Sequence, residues 1–257
     1  MREISVTSSL DGTKQPSLYE RPDTAGPVPL VVGLHTWSFD RFNQQELYLP
    51  LCRWYGWALL LPEFRGPNLE SNPHCTDACG SAKARRDVID AVEAVCAAGE
   101  IDRKNIFLLG CSGGGQMALL AAETAPELFR AVEVWCPVSD LVLWHRYLAE
   151  THQHYVRHLE ACTGGTPETR PAEYAERSPA AHPERLRTLP VSIHHGRHDE
   201  VVPYRHSLLL AEKAEAAGNE QLYWDIFDGG HEQMPERSFE WFAKLAGTRG
   251  GTVRITG

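Results

Sequence analysis

The sequence predicts an α/β fold in which a mostly parallel, eight-stranded sheet is flanked by helices. Apolar runs alternate along the chain with segments of helical periodicity, which is typical of repeated β-α-β units. Several runs are continuously apolar, as expected for parallel strands that are buried on both faces. With 257 residues, 42% of them hydrophobic, the chain can bury a sizeable core, and we expect one domain over residues 1–257.

The elements follow in a regular order. The first 25 residues, with Ile4, Val6 and Leu18 among turn formers, predict an antiparallel hairpin at the sheet edge. Helical spacing of apolar residues predicts helices within residues 81–98, 117–123, 208–217 and 238–246. The central strands are expected at Leu30–Leu34, Ala58–Leu61, Ile106–Leu109, Ala131–Trp135, Val191–His194 and Leu222–Phe227.

One segment interrupts this alternation between the sixth and seventh strands. Residues 139–190 contain no clear strand and are rich in His, Arg, Glu and Pro. A connection of this length in a compact domain is usually functional, so we expect a lid-like insertion that lies over the site. The Gly- and Thr-rich residues 247–257 predict a frayed tail.

Charge and hydropathy exclude several classes of partner. The net charge is −9 and no block of Lys or Arg is present, which argues against nucleic acid and anionic membranes. No apolar run approaches the 18 or more residues that span a bilayer, and the N-terminus lacks a signal-peptide pattern. We therefore expect a cytoplasmic protein.

The cysteines support the same compartment. Seven is an odd number, and most of them fall in predicted strands and helices, so reduced thiols are expected. Cys75 and Cys79 share a predicted loop and could bridge or bind a metal, but no second pair completes a zinc pattern. The sequence leaves their pairing open and predicts no metal site.

A nucleophile motif follows the predicted strand Ile106–Leu109. Gly110-Cys111-Ser112-Gly113-Gly114 is G-x-S-x-G in the strand-turn-helix context that gives this pattern its meaning. The turn must be so tight that Gly110 and Gly114 cannot carry side chains, and Ser112 then stands at a helix N-terminus. The sequence lacks the lysine of a phosphate-binding loop and the spacing of a dinucleotide loop. Cys111 is an alternative nucleophile, although its position predicts burial.

In these features the chain resembles an α/β-hydrolase, in particular the hydrolase domain of the prolyl oligopeptidase-like and dienelactone hydrolase-like enzymes. The similarity runs from about Val28 to Phe242. The larger peptidases of the group carry an N-terminal β-propeller, which we expect to be absent here. The similar segments are Leu30–Trp37, Leu61–Pro67, Ile101–Gly115, Pro137–Leu141, His195–Pro203 and Gly229–Glu232.

A serine nucleophile needs a histidine base and a carboxylate that orients the histidine, and this fold supplies them in the order Ser, acid, His. Among twelve histidines, His231 follows the last predicted strand and precedes the last helix, where a loop can carry it over Ser112. For the acid, position alone leaves Asp199, Glu200, Asp228 and Asp140 open. The resemblance implies Asp199, because His195–Pro203 matches the family's H-G-x-x-D-x-x-V-P stretch.

The oxyanion hole requires two N–H donors. One is expected from Gly113, and the other from the loop after Leu30–Leu34. In that loop Thr36 replaces a glycine that the family commonly has. The second donor is therefore Thr36 or Trp37, with Trp37 favoured. Arg65, in a stretch that resembles one near the family's active site, is expected either to pair with acids or to face solvent. The expected pocket residues are His35, Phe39, Trp135 and Trp144.

The resulting interpretation is a serine hydrolase that requires no cofactor and cleaves small or medium carboxylic esters through an acyl-enzyme on Ser112. An aminopeptidase or oligopeptidase acting on short peptides is the alternative, and a binding protein on a hydrolase scaffold is the third possibility. The expected absence of a propeller favours esters, because fold and triad alone do not specify the leaving group.

Overall fold

The computed structural model describes residues 1–248 of the chain. Eight strands form a single sheet in the order β1-β2-β4-β3-β5-β6-β7-β8. The tail predicted for residues 247–257 lies outside the described residues from residue 249 onward. The strands are β1 (Arg2–Thr7), β2 (Lys14–Glu20), β3 (Val28–Leu34), β4 (Ala58–Pro62), β5 (Ile101–Cys111), β6 (Ala131–Trp135), β7 (Val191–Gly196) and β8 (Leu222–Phe227).

The predicted α/β fold, with a mostly parallel eight-stranded sheet, is confirmed. β1 and β2 pair antiparallel at one edge, and β2 continues antiparallel onto β4. All remaining neighbours, from β4 through β3 to β8, are parallel. Parallel strands require crossovers that cover both faces, which is why the central strands are apolar on both sides.

Eight α-helices surround the sheet in the described part of the chain. Side-chain alternation along the strands divides the core into two layers. Leu30, Val32 and Leu108 pack on one face with α2, α3 and α7, whereas Val31, Phe107 and Leu109 pack on the other with α1 and α8. The helices are α1 (Gln45–Tyr55), α2 (Ala82–Cys96), α3 (Gly113–Thr124), α4 (Leu141–Glu150), α5 (Tyr155–Thr163), α6 (Pro171–Glu176), α7 (Arg205–Ala216) and α8 (Pro235–Ala246).

The long connection between β6 and β7 is helical and contains α4, α5 and α6. Its apolar side chains form a third buried cluster, in which Leu141, Trp144 and Leu159 pack together with Trp37 from the β3–α1 loop and Val202 from the β7–α7 loop. The connection is therefore packed against the loops at the carboxyl end of the sheet, which is where parallel α/β folds place their sites. No helix in residues 1–248 is long and apolar enough to cross a membrane.

Candidate active site

Ser112 lies in a strained turn between β5 and α3. Its φ of 57° is in the left-handed region that non-glycine residues rarely adopt. The turn is closed by backbone contacts: a Cβ on Gly110 would overlap the carbonyl of Gly114, and a Cβ on Gly114 would overlap that of Leu34. The Ser112 N–H donates to the Trp135 carbonyl at 2.9 Å, which fixes the turn against β6. This geometry holds Ser112 at the N-terminus of α3.

Cys111, the alternative nucleophile, is unsuited to that role. Its side chain packs in the layer beneath α8, and burial raises the pKa of the thiol well above its usual value. Because the thiolate is the reactive form of cysteine, this environment keeps Cys111 inert.

The structure brings Asp199 and His231 together. Asp199 follows β7, and His231 stands in the loop between β8 and α8. His231 Nδ1 lies 2.6 Å from Asp199 Oδ2, so Nδ1 carries the proton and Nε2 is left as the basic atom. Ser112 and His231 line the same cavity, although in the described residues no hydrogen bond joins them. Such contacts are often long in unliganded hydrolases.

Four donors surround the Asp199 carboxylate. Oδ1 accepts the N–H groups of Val201 and Val202 at 2.8 and 2.9 Å, and Oδ2 lies 3.1 Å from His195 Nε2 as well as near His231. Burial opposes ionisation of Asp199, but the hydrogen bonds from His195 and His231 outweigh it and hold the pKa of this carboxyl below its ordinary value. A buried, permanently ionised carboxylate is suited to orienting an imidazole.

His195 is a member of this arrangement that the sequence did not identify as functional. It is fully buried, with Nε2 2.7 Å from the Val202 carbonyl and Nδ1 2.7 Å from Ser207 Oγ. Since a carbonyl only accepts, Nε2 carries the proton and can donate to Asp199 as well. Its place as the first residue of the H-G-x-x-D-x-x-V-P stretch, four residues before Asp199, was the signal that could have identified it.

The other candidate acids have different partners. Asp140 caps α4 by accepting the Leu143 N–H at 2.9 Å. Asp228 lies 2.9 Å from His198 on the surface. Glu200 is exposed, and its backbone carbonyl accepts the hydroxyl of Tyr147 at 2.6 Å. In the described residues none of these carboxylates is hydrogen-bonded to His231.

The two possible oxyanion donors of the β3–α1 loop differ in availability. The Thr36 N–H already donates to Asn43 Oδ1 at 3.0 Å. The Trp37 N–H has no partner among the described residues, and a Cβ on Gly113 would lie 3.0 Å from the Trp37 nitrogen. The unpartnered N–H of Trp37 therefore lies close to Gly113, the residue that follows Ser112.

A cavity of about 270 Å³ opens above Ser112. Two of its walls, Phe39 and Trp144, match the residues expected for the pocket. Trp144 is fixed by an edge-to-face contact with Trp37 at 4.6 Å and by an Nε1–H bond to the Val201 carbonyl at 3.0 Å. The sequence did not single out the remaining lining residues, which are Ser38, Tyr155, Val201, Glu232 and Gln233.

His35 and Trp135 do not line this cavity, and their assignment to the pocket is corrected. His35 is buried beneath the loop, stacked on Phe64 at 3.8 Å, with Nε2 3.2 Å from Glu63. Trp135 points to the sheet face that α8 covers, where its Nε1–H donates to Ser238 Oγ at 2.9 Å. Both residues contribute to the core rather than to substrate contacts.

The remaining candidates have structural surroundings. Arg65 is buried and pairs with Asp11 and Asp87, so of its two expected roles it has the one of pairing with acids. All seven cysteines are free thiols, so Cys75 and Cys79 are not paired. In residues 1–248 one set of potential metal ligands lies within 4.8 Å, formed by Cys136, His195 and Asp199. His195 and Asp199 already use these atoms in hydrogen bonds, and burial raises the pKa of Cys136 to about 12, which keeps its thiol protonated.

Comparison with known proteins decides the family. The model of the prolyl oligopeptidase family matches residues 77–247, more than half of the chain and including Ser112, Asp199 and His231. The chain belongs to the prolyl oligopeptidase family. A curated relative, an uncharacterized peptidase of Bacillus subtilis (YtmA), is 31% identical over 129 residues, which are 50% of this chain and 48% of the relative.

Solved structures show the same fold for this prolyl oligopeptidase family member. A puromycin-hydrolyzing peptidase of Mycobacterium tuberculosis superposes with a TM-score of 0.78 at 21% identity, covering 98% of this chain and 40% of that one. The acylaminoacyl peptidase of Pyrococcus horikoshii gives 0.73 at 18% identity, covering 96% and 40%. The chain therefore spans less than half the length of these relatives.

Proposed function

We propose that this protein is a serine peptidase that cleaves amide bonds in short peptides or aminoacyl amides, with Ser112 as the nucleophile. The observation that supports this most directly is the strained Ser112 turn, which shares one cavity with the hydrogen-bonded Asp199–His231 pair. Residues 1–257 would act as one catalytic domain, and the segment 139–190 would act as a lid, because its Trp144 and Tyr155 form walls of that cavity.

The proposed reaction has two stages. His231 Nε2 takes the proton of Ser112 Oγ as the oxygen attacks the carbonyl carbon, and Asp199 stabilises the imidazolium. The N–H groups of Gly113 and Trp37 bind the oxyanion of the tetrahedral intermediate. The intermediate collapses when His231 returns the proton to the leaving amine, which departs and leaves an ester on Ser112. Water, deprotonated by His231, then attacks this ester and releases the carboxylic acid and the free serine.

Family membership reverses the order of the two substrate classes expected from the sequence. The named relatives are peptidases, so the family favours peptide amides over carboxylic esters. The preference for esters rested on the expected absence of a propeller, which determines no contact at Ser112. The small aromatic cavity is consistent with a short substrate that presents one apolar side chain, and a cytoplasmic location remains part of the proposal.

Paired substrates test this assignment. We expect aminoacyl p-nitroanilides to be turned over at rates comparable to p-nitrophenyl esters of the same acyl group. Anilide turnover that is negligible beside ester turnover would contradict the peptidase proposal and restore the esterase. Ser112→Ala should lose several orders of magnitude in kcat with both substrates and should lose labelling by a fluorophosphonate. Ser71→Ala, which changes an exposed serine, is the matched control and should retain both.

A further inference from the structure

A row of polar side chains crosses three neighbouring strands on the sheet face that α8 covers. Glu133 of β6 is in register with Ser192 of β7, and His194 of β7 is in register with Asp225 of β8. Residues in register on adjacent strands share a face, as do residues two apart on one strand. Strands buried on both faces are normally apolar. Packing alone therefore does not explain this row.

Glu133 contributes an unsatisfied acceptor. Its Oε1 accepts the hydroxyl of Ser238 at 2.6 Å, and Ser238 Oγ in turn accepts the indole N–H of Trp135. Its Oε2 has no hydrogen-bond partner among the described residues, although the residue is only 1% exposed. A buried carboxylate oxygen without a donor is costly, and each such group in a native structure calls for a partner.

His194 contributes a second acceptor beside the first. Its Nε2 lies 3.0 Å from Ser192 Oγ and 3.5 Å from Glu133 Oε1, and the neighbouring carboxylate places the proton on Nε2. The lone pair of Nδ1 is left without a hydrogen bond in the described residues. Asp225 Oδ2, 3.7 Å from Nδ1, is itself an acceptor and is paired with Arg237. The missing partner of Glu133 Oε2 must therefore be a donor, as must that of Nδ1 when the imidazole is neutral.

These groups line a cavity of about 530 Å³, which we term the α8 cavity. It shares no lining residue with the cavity above Ser112, and its volume is in the range of small-molecule sites. Tyr223 and Trp241, in edge contact at 6.0 Å, give it an aromatic wall that suits an apolar or cationic group. Besides Glu133, Ser192 and His194, its lining consists of Tyr223, Arg237, Glu240, Trp241, Lys244 and Leu245.

The charges of the α8 cavity favour a cation. Arg237 is paired with Asp225 at 3.1 Å, and the two other charged lining residues besides Glu133, Glu240 and Lys244, carry opposite charges. Glu133 is left as the uncompensated charge at the base. A metal ion fits less well, because within residues 1–248 these side chains do not bring three ligand atoms within 4.8 Å of one another. We propose that the α8 cavity binds a small organic ammonium compound, which donates to Glu133 Oε2 and His194 Nδ1 and lays its apolar part against Tyr223 and Trp241.

Isothermal titration with 2-phenylethylammonium tests the proposal, with 2-phenylethanol as the neutral probe of similar shape. We expect saturable 1:1 binding of the ammonium compound and none of the alcohol. Glu133→Gln should weaken binding by about tenfold or more, because a charged hydrogen-bond partner is lost. Absence of saturation at millimolar concentrations, equal binding of the alcohol, or unchanged binding to Glu133→Gln would each overturn the proposal and indicate that water alone hydrates Glu133.

Two further variants separate the α8 cavity from the cavity above Ser112 and keep the test valid if Glu133→Gln does not fold. Tyr223 is 57% exposed, so Tyr223→Ala removes an aromatic wall without opening the core and should weaken binding several-fold. Phe39 is 56% exposed and lines only the Ser112 cavity, so Phe39→Ala should leave ammonium binding unchanged. Weakened binding in the Ser112-cavity variant, together with unchanged binding in Tyr223→Ala, would place the ligand above Ser112. That result would refute the α8 site, whatever the outcome of the peptidase assays.

Discussion

Replacing Asp199 by Asn tests the proposed orientation of His231 with almost no change in shape. In the wild type, Oδ1 accepts two backbone N–H groups, from Val201 and Val202, whereas Oδ2 faces His231 and His195. Only the oxygen of the Asn amide can occupy the Oδ1 position, because both groups there are donors. The NH₂ group is therefore forced towards the two histidines.

The consequence is the wrong tautomer of His231. An NH₂ group at 2.6 Å requires Nδ1 to accept, so the proton moves to Nε2, the atom that should take the proton of Ser112. The same NH₂ group faces the N–H of His195 at 3.1 Å, which adds a repulsion between donors. In serine proteases this tautomer error lowers kcat by about 10⁴-fold. A loss of that size corresponds to about 5 kcal/mol of transition-state stabilisation.

Steady-state kinetics on an aminoacyl anilide measure this effect, and we expect kcat to fall while KM changes little. Asp228→Asn is the matched control, because Asp228 is an exposed carboxylate in the neighbouring loop and its loss should leave kcat within a factor of two or so. If Asp199→Asn retained kcat within tenfold of the wild type, Asp199 would not be the residue that orients the base.

Three other substitutions probe the surroundings of the site. Gly114→Ala should lower the free energy of unfolding in urea by about 1–3 kcal/mol, because its Cβ meets backbone, whereas Gly230→Ala, with open space around its Cβ, should leave stability unchanged. Burial lowers the pKa of His206 to about 3, so between about pH 6.5 and 3 the unfolded chain binds a proton that the folded chain does not. The thermal midpoint should therefore fall as the pH is lowered across this window, and it should fall less steeply in His206→Gln. Asn43→Ala removes a bond worth about 1 kcal/mol from the Thr36 N–H and should reduce kcat about fivefold through a looser oxyanion loop; an unchanged kcat would show that this anchor is dispensable.

Local patterns in the sequence were sufficient to predict the sheet and the turn that carries Ser112. Continuous apolar runs predict buried parallel strands, and β6 and β8 begin and end where the pattern places them. The close approach of Gly110 to Gly114 is a contact between residues four apart, so a short motif encodes it. The sequence order of Asp199 and His231 likewise follows the order of strands in the sheet.

The walls of the cavity depend on contacts that no local pattern encodes. Trp135 is one residue of an alternating strand, and its face is set by the register with β7. His35 turns inward because Phe64 and Glu63, nearly thirty residues away, provide a stack and a partner. Tyr155 reaches the site only because α5 folds back over it. Side-chain direction was therefore the information that sequence reasoning lacked.

Backbone-to-backbone contact also limits how this site can be re-engineered. Gly110, Gly114 and Gly196 each bring main chain against main chain, and the last of these presses β7 on the loop that carries His231. With no side chain interposed as a spacer, the separation of nucleophile, acid and base cannot be tuned by substitution. Libraries aimed at altered specificity should therefore leave these three positions invariant and diversify Phe39 and Tyr155, which line the cavity above Ser112.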